Sequence, residues 1–260
     1  FLEHRVELFN KKLDITPGVA LTYFSDFKFF AFPGVDVGYE LLDNLKVYGN
    51  LGYTYRIPTF TDLNYKSPNT IGNPDLEPEK AFSQEIGVKW NTVRFNVSVA
   101  VFNRNSNHLI DYVKMQLTDP WQAQNIQDVT TKGFETQLLY QFNINSFNQK
   151  LQFGYSFIQN DIAQSTFAFS QYSLNSMKHQ FVGSYAMQFL KNFTNTVSYR
   201  YAERTAGSSY SVVDLGAAYR LRAFELSLFA NNIFNTEYTE TNLVPMPKGN
   251  LLFGIQYNFR

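Results

Sequence analysis

The stretch that decides the fold is residues 93–101, Val-Arg-Phe-Asn-Val-Ser-Val-Ala-Val, in which every second side chain is a large apolar one. Successive side chains of a β-strand point to opposite faces of a sheet, so this spacing places Val and Phe on one face and mostly polar residues on the other. The same alternation returns at residues 151–157, 193–201 and 250–259. The pattern predicts strands that have one apolar and one polar face along most of the chain.

Thirteen segments of this kind can be placed along the sequence. Each has about ten residues and is bounded by turn-forming residues, as is typical of antiparallel strands joined in sequence. The predicted fold class is therefore all-β and antiparallel. The predicted strands cover residues 1–10, 13–24, 29–42, 45–57, 79–90, 92–104, 129–143, 149–160, 177–190, 192–203, 209–221, 223–233 and 249–259.

The connections between these strands alternate between tight and long. Outer-membrane barrels have short periplasmic turns and longer extracellular loops, whereas a soluble sandwich has no reason for this asymmetry. We therefore predict a transmembrane β-barrel with its long loops outside the cell. The tight connections are at Lys11-Lys12, Asp43-Asn44, Asn91, Lys191-Asn192 and Arg222. The long ones are at 58–78, 105–128, 161–176 and 234–248, and the outer connections near 25–28 and 204–208 are short.

The composition agrees with a barrel. The chain has 17 Tyr and 26 Phe, which suits the aromatic girdles at the two membrane interfaces. It has no Cys, so a thiolate metal site and a disulfide framework are excluded. The formal net charge of +0 argues against a nucleic-acid partner. No cofactor and no metal site in the chain itself are predicted.

The chain begins at Phe1 within a predicted strand, without an initiator methionine or a leader. Thirteen is an odd number, whereas bacterial single-chain barrels have even strand counts. An open sheet in lipid would leave backbone groups unpaired, at a cost of several kcal/mol each. We therefore expect residues 1–260 to be the C-terminal portion of a longer barrel, and we expect this segment alone not to close into a stable one.

Two neighbouring sequence boxes carry a family resemblance. Tyr55-Arg56-Ile57-Pro58 is followed by a long loop and then by Asn73-Pro74-Asp75-Leu76-Glu77-Pro78-Glu79. Pro58 ends strand pairing because proline has no N–H to donate. The pair resembles the two boxes of TonB-dependent outer-membrane receptors, and the residues that match are Tyr55, Arg56, Pro58, Asn73, Pro74, Asp75 and Leu76.

The C-terminal part of the chain is similar to the same family. Residues 230–238 resemble the end of its penultimate strand, and Val244-Pro245-Met246-Pro247 precedes the last predicted strand. In that strand Gly254, Tyr257 and Phe259 resemble the signal read by the barrel-insertion machinery. Arg260 departs from the pattern, since the aromatic residue normally comes last.

The resemblance implies a barrel of about 22 strands, of which this chain supplies 12 or 13. It implies a multi-pass protein of the bacterial outer membrane, surrounded by lipid and lipopolysaccharide. A plug domain and N-terminal strands would lie upstream, and the plug portion would bind the TonB complex. The implied function is active import of a scarce metal chelate, either cobalamin or a ferric siderophore. A surface lipoprotein partner is left open.

Charged side chains fall on the polar face of the predicted strands. A membrane barrel tolerates charges there because water or plug groups satisfy them, while lipid does not. A passive pore would accept the same lining, so these residues do not separate a plugged receptor from a porin. They are Lys46, Arg56, Glu85, Lys89, Arg94, Glu135, Asp214, Arg220 and Glu225.

The predicted outer loops supply the candidate ligand-binding residues. Aromatic faces grip planar or apolar ligand surfaces, and amide side chains fix the orientation of a ligand. The candidates are Tyr65, Asn69, Trp121, Gln122, Gln124, Phe167, Tyr172, Tyr210 and Tyr238.

Four alternatives remain beside the chelate importer. Haem receptors of this family usually carry a His between the two boxes, but residues 59–72 contain none, and His108 is the one histidine in a predicted outer loop. A glycan importer, a passive porin and a structural or adhesive outer-membrane barrel are the other three. No nucleophile elbow or comparable catalytic motif is present, so an enzyme is not expected.

Overall fold

The computed structural model describes residues 1–126, 128–162, 167–171, 176–240 and 244–259. The described residues form 18 strands and one short helix, α1 (Phe60–Asn64). The strands are β1 (Leu2–Glu3), β2 (Val6–Leu8), β3 (Leu13–Phe24), β4 (Lys28–Leu42), β5 (Leu45–Arg56), β6 (Thr70–Ile71), β7 (Glu79–Asn91), β8 (Phe95–Asn107), β9 (Leu109–Lys114), β10 (Trp121–Ile126), β11 (Val129–Ile144), β12 (Phe147–Ile162), β13 (Phe169–Ser170), β14 (Met177–Leu190), β15 (Phe193–Arg204), β16 (Ser209–Leu221), β17 (Phe224–Asn231) and β18 (Asn250–Tyr257).

Fourteen strands belong to one sheet in which neighbours in the chain are neighbours in space. The order is β1-β3-β4-β5-β7-β8-β11-β12-β14-β15-β16-β17-β18, and β2 also pairs with β3. The pairings from β3 to β5 and from β14 to β18 are antiparallel. All 13 predicted strands have counterparts in this sheet, so the all-β antiparallel class is confirmed.

Several predicted boundaries were wrong. The first predicted strand is two short strands, β1 and β2, and the last one ends at Tyr257, so Phe259 lies beyond it. The strand predicted at 92–104 begins only at Phe95, because the Thr92 hydroxyl accepts the backbone N–H of Phe95 at 2.9 Å and forms a turn. Val93, which is 96% exposed, and Arg94 therefore lie in this turn rather than on the two faces of a strand.

The chain divides into two compact units. The first unit comprises Phe1–Lys89, Val99–Phe134 and Ile158–Ser176. On its polar face, Lys46 Nζ donates to Asp14 Oδ2 at 2.6 Å. On the opposite face, the rings of Tyr53 and Phe82 pack at 4.6 Å between centroids.

The second unit comprises Trp90–Ser98, Glu135–Phe157 and Met177–Arg260. It shows the same division of faces. Arg220 donates to Glu225 Oε2 at 2.7 Å between β16 and β17, while the rings of Phe153 and Phe181 pack at 5.0 Å between β12 and β14.

Three of the predicted long loops contain secondary structure that the sequence pattern did not predict. The segments 58–78, 105–128 and 161–176 hold α1 and a second sheet with the order β13-β9-β10-β6. β9 pairs antiparallel with β10 and with β13, while β10 pairs parallel with β6. We call this second sheet the loop sheet. Within the described residues, no helix has the length and apolar character that a bilayer-spanning helix needs.

Candidate ligand-binding site

The loop sheet has an apolar core on each face. Alternate residues of β9 point to opposite sides, so Ile110 and Tyr112 pack with Leu76 and Ala123, and Val113 packs on the other side. The first cluster also contacts Leu63 and Trp121. The second cluster consists of Val113, Ile126 and Val129, and Leu109, Ile162 and Phe167 pack against it. The three loops are therefore held together by burial of apolar surface.

The helix α1 begins with a capping box directly after Pro58. Thr59 Oγ1 accepts the backbone N–H of Asp62 at 3.1 Å, and Asp62 Oδ2 accepts the backbone N–H of Thr59 at 2.9 Å. This exchange satisfies two N–H groups at the start of the helix. It also fixes the Asp62 carboxylate in a buried position.

Asp62 is the centre of a buried polar network. Its Oδ1 accepts from the Tyr112 hydroxyl at 3.1 Å, and its Oδ2 accepts from Arg56 at 3.2 Å. Arg56 also donates to the carbonyl oxygen of Ile110 at 3.1 Å. Burial raises the pKa of Asp62, but the hydrogen bonds from Thr59 and Tyr112 and the charge of Arg56 outweigh it, so the pKa lies below the usual value. Arg56 thus joins the end of β5 to α1 and to β9.

A second buried carboxylate extends the network. Glu79, at the start of β7, accepts from Arg104 at 3.2 Å through Oε1, and its Oε2 lies 3.7 Å from Arg56. The side chains of Asp62 and Glu79 are each only 5% exposed. Buried carboxylates need such partners because removal of one partner leaves an uncompensated charge. The positive charges of Arg56 and Arg104 are therefore matched by buried carboxylates.

The second sequence box shapes the return of the first long loop. Asn73 Oδ1 accepts the backbone N–H of Asp75 at 3.0 Å, and the backbone N–H of Asn73 donates to the carbonyl of Asp62 at 2.8 Å. Leu76 is buried in the first cluster of the loop sheet. Both boxes thus have a clear local role in building this loop.

The amide of Asn125, on β10, joins two further loop segments. Its Oδ1 accepts the backbone N–H of Glu77 at 2.8 Å. Its Nδ2 donates to the carbonyl oxygens of Glu77 at 2.9 Å and His108 at 2.8 Å. His108, the candidate for haem, lies in the tight connection between β8 and β9 with Nδ1 3.0 Å from Glu77 Oε2. Among the described residues, no group of three or more His, Asp or Glu side chains is arranged to hold a metal ion.

A cavity of about 630 Å³ opens on the polar face of the first unit. Its lining joins the buried network to the polar faces of β5, β7 and β8. Amide, hydroxyl and charged side chains predominate. The residues that bear on ligand chemistry are Asn50, Arg56, Glu79, Glu85, Arg104 and Asp111.

The structure brings six of the predicted ligand-binding residues together in the loop sheet and its borders. The backbone N–H of Trp121 donates to the carbonyl of Asn69 at 2.9 Å, and Gln124 donates to Gln122 at 3.3 Å. Trp121 packs against the first core cluster, and Lys114 Nζ lies 4.6 Å from the centre of its ring. Phe167 packs against the second cluster, while the side chain of Tyr65 is exposed.

Two other predicted residues meet in the second unit. The rings of Tyr210 and Tyr238 lie 4.6 Å apart beside a cavity of about 370 Å³. Arg200 holds Tyr238 in place, because its guanidinium donates to the tyrosine hydroxyl at 3.4 Å and to Glu240 Oε1 at 3.2 Å. Tyr172 lies outside the described residues.

The sequence reasoning missed the residues that organise the first unit's site. These residues are Asp62, Glu79, Arg104, Asp111 and Tyr112. Of them, only Asp111 and Tyr112 lie in a segment whose sequence could have been recognised as a strand. Residues 109–113, Leu-Ile-Asp-Tyr-Val, are rich in β-branched and aromatic side chains and are typical of a short strand. The charged residues gave no such signal, because a carboxylate in a loop is usually solvated.

Comparison with known proteins gives a family match over most of the chain. The profile described as "TonB dependent receptor-like, beta-barrel" matches residues 1–233. A vitamin B12 transporter BtuB of Vibrio vulnificus (strain CMCP6) is 31% identical over 97 residues, which are 37% of this chain and 14% of the relative. The BtuB of strain YJ016 is 21% identical over 204 residues, which are 75% of this chain and 31% of the relative.

Solved structures share the fold. The siderophore receptor PirA of Acinetobacter baumannii superposes with a TM-score of 0.75 at 14% identity, over 99% of this chain and 45% of that one. A mutant ferric enterobactin receptor PfeA of Pseudomonas aeruginosa also gives 0.75 at 14% identity, over 99% of this chain and 44% of that one. The chain thus spans less than half the length of each of these relatives.

Proposed function

The chain belongs to the TonB-dependent receptor-like β-barrel family, whose members are multi-strand proteins of the bacterial outer membrane, and from this premise we propose that it is part of an active importer of a scarce metal chelate. The proposed cargo is cobalamin or a ferric siderophore. Relatives named as vitamin B12 transporters and structural neighbours named as siderophore receptors support this range.

The loop sheet is the observation that carries the proposal. A passive pore needs an open lumen, and its loops have no need of an internal core. Here three loops share two apolar clusters and a buried network around Asp62 and Glu79. Rigid loops lose little conformational freedom when a ligand binds, so this organisation favours high-affinity capture.

The proposed contacts are exposed or half-buried groups of the loops. In the first unit these are Tyr65, Asn69, Gln122 and Gln124, which Trp121 and Phe167 support from the two cores. In the second unit, the paired rings of Tyr210 and Tyr238 offer an apolar surface. Tyr172 remains part of the proposed set. Aromatic faces with a few amide groups are the usual lining of a small-molecule site.

Import against a gradient requires energy, and the proposed source is TonB acting on a plug. We place the plug and the N-terminal strands in a longer natural protein of which residues 1–260 form the C-terminal portion. The family membership and the 45% coverage of PirA support this arrangement. Membrane lipid, lipopolysaccharide and a surface lipoprotein are further proposed partners.

The proposal is tested by uptake in cells that produce the full natural protein. Labelled cyanocobalamin and ferric siderophores are offered to two strains, one with and one without TonB. We expect saturable surface binding in both strains and accumulation only in the strain with TonB. Accumulation that is linear in concentration and equal in both strains would show a passive porin instead.

A variant pair ties the result to the loop sheet. Arg56→Ala removes the link from β5 to Asp62 and Ile110, and we expect it to weaken surface binding. Asp75→Asn changes an exposed carboxylate of the same loop and serves as the matched control. Equal binding by both variants would contradict a role of the loop sheet in capture.

A further inference from the structure

We infer that the polar face of the first unit selects a chelate without net negative charge, and that Glu85 helps to exclude anions. This inference rests on the proposed import of a metal chelate and narrows the class of chelate. It depends on the charges that line two adjoining cavities of that unit.

The larger cavity has no unmatched positive charge among its described lining residues. Its two basic residues are Arg56 and Arg104. Arg56 lies 3.2 Å from Asp62, and Arg104 lies 3.2 Å from Glu79. An anionic ligand would have to compete with buried carboxylates that already hold both guanidiniums.

The same cavity carries further acidic groups. Asp111 is almost completely buried and accepts a hydrogen bond from the Ser170 hydroxyl. Glu85 lies on the polar face of β7 and is partly buried, and its carboxylate makes no ion pair within 4.0 Å among the described residues. Among the described lining residues there are thus three carboxylates, from Glu79, Glu85 and Asp111, and two guanidiniums.

A second cavity, of about 340 Å³, is also lined by acidic side chains. It shares Asn50 and Ser83 with the first, so the two adjoin along β5 and β7. Its charged side chains are Glu3 and Asp36, and its described lining contains no Lys, Arg or His. A cleft whose walls carry one sign of charge repels ligands of the same sign.

The remaining groups suit an uncharged ligand with many hydrogen-bonding atoms. Asn50, Ser83, Asn103, Thr131 and Asn160 offer amides and hydroxyls that both donate and accept. Amide-bearing corrin rings and uncharged hydroxamate chelates present such atoms. A tris-catecholate iron complex instead brings several negative charges, and it would meet Glu85, Glu3 and Asp36 without a free cation among the lining residues that the structure describes.

The test is equilibrium binding to the full natural protein in detergent, with three probes of known charge. Cyanocobalamin and ferrichrome carry no net charge, and ferric enterobactin is a tris-catecholate anion. We expect at least one uncharged probe to bind and to be preferred to the anion by more than about tenfold, which corresponds to about 1.4 kcal/mol.

Variants of Glu85 test the role of this residue. Glu85→Lys is expected to strengthen binding of ferric enterobactin by about tenfold, and Glu85→Gln by less, because each lowers the repulsion of an anion. Asp43→Lys makes the same charge change in an exposed turn that lines neither cavity and should leave the preference unchanged. Heat-modifiable migration of every variant on a gel verifies folding.

The outcomes separate the two proposals. Tighter binding of ferric enterobactin than of both uncharged probes would overturn the inferred selection of chelates without net negative charge. It would leave the proposed import of a metal chelate unaffected. If Glu85→Lys changes the preference for uncharged probes no more than the Asp43→Lys control does, the role of Glu85 is overturned. Binding of none of the three probes would overturn the chelate importer and the charge class together.

Discussion

The strands β3 to β5 and the loop sheet differ in what holds them together. β3, β4 and β5 pair in chain order through long antiparallel registers, and their apolar face remains exposed, as at Leu51, which is 46% exposed. The loop sheet pairs residues that are far apart in sequence, such as Trp121 with Thr70, and buries carboxylates beside its apolar core.

The difference teaches which interactions each region depends on. In β3 to β5, the choice of face is local, because alternation places apolar side chains toward lipid and polar ones away from it. In the loop sheet, each segment is too short to be stable by itself, so its structure depends on contacts between loops. A charge added to the apolar face should therefore destabilise β3 to β5, whereas a charge removed from the buried network should destabilise the loop sheet.

The largest effect is expected from removal of the central carboxylate of the loop sheet. Asp62→Ala removes the carboxylate that accepts the Thr59 N–H in the capping box, and it leaves Arg56 and Tyr112 without their shared partner. We expect a local loss of about 3–5 kcal/mol, because three hydrogen bonds to one buried carboxylate are lost together. Hydrogen exchange of the full natural protein should show faster exchange in α1, β9 and β10 and unchanged exchange in β3 to β5. Uniform loss of protection in both regions would contradict their independence.

A smaller effect is expected from a charge placed on the lipid-facing side of β5. Leu51→Lys should lower the stability of the folded protein by about 2–4 kcal/mol near the bilayer midplane, and by less nearer an interface. Thr54→Lys, three residues away on the polar face of the same strand, is the control and should change little. The thermal midpoint of heat-modifiable migration measures both. A larger loss from Thr54→Lys would mean that the faces are reversed.

Acid should weaken the loop sheet before it weakens β3 to β5. The pKa of Asp62 is lower in the folded protein than the usual 3.8, so its contribution is complete above that value and is lost as the pH falls through the folded pKa. Hydrogen exchange corrected for intrinsic rates should show protection of α1 and β9 that declines in this acidic range. Asp62→Asn should abolish that pH dependence, and its persistence in the variant would assign the effect to another group.

The smallest effect is expected from an exposed ion pair in the last long loop. Lys248 lowers the pKa of Glu237 through a hydrogen bond and its charge, but both side chains are largely exposed. Exposed pairs contribute little because water and salt screen them. Glu237→Gln should leave the thermal midpoint unchanged within error, whereas Asp62→Asn should lower it. A large shift for Glu237→Gln would show that burial is not what distinguishes the two carboxylates.

Prediction from sequence succeeded where structure is local. The alternation along 93–101 and its repeats was enough for the strands of the large sheet, since lipid and polar surroundings sort the two faces residue by residue. It failed by a few residues where a turn competes with pairing, as at Thr92. The two sequence boxes flank the first long loop, and in the structure Arg56 and Leu76 are integrated into it.

The loop sheet was not predictable in the same way. β6 and β13 have two residues each, which is too short for any periodic pattern. Asp62 and Glu79 look like ordinary solvated carboxylates until distant residues cover them. Trp121 and Phe167 were predicted as ligand-binding candidates, and the structure places them against the cores of the loop sheet.

The hydrogen bonds of the Asn125 amide determine which substitutions these loops can tolerate. It binds main-chain atoms of Glu77 and His108 and none of their side chains. A substitution at Glu77 or His108 therefore leaves these hydrogen bonds intact, provided that the backbone conformation is unchanged. The side chains around Asn125 can therefore be exchanged while one amide keeps the two loop segments joined.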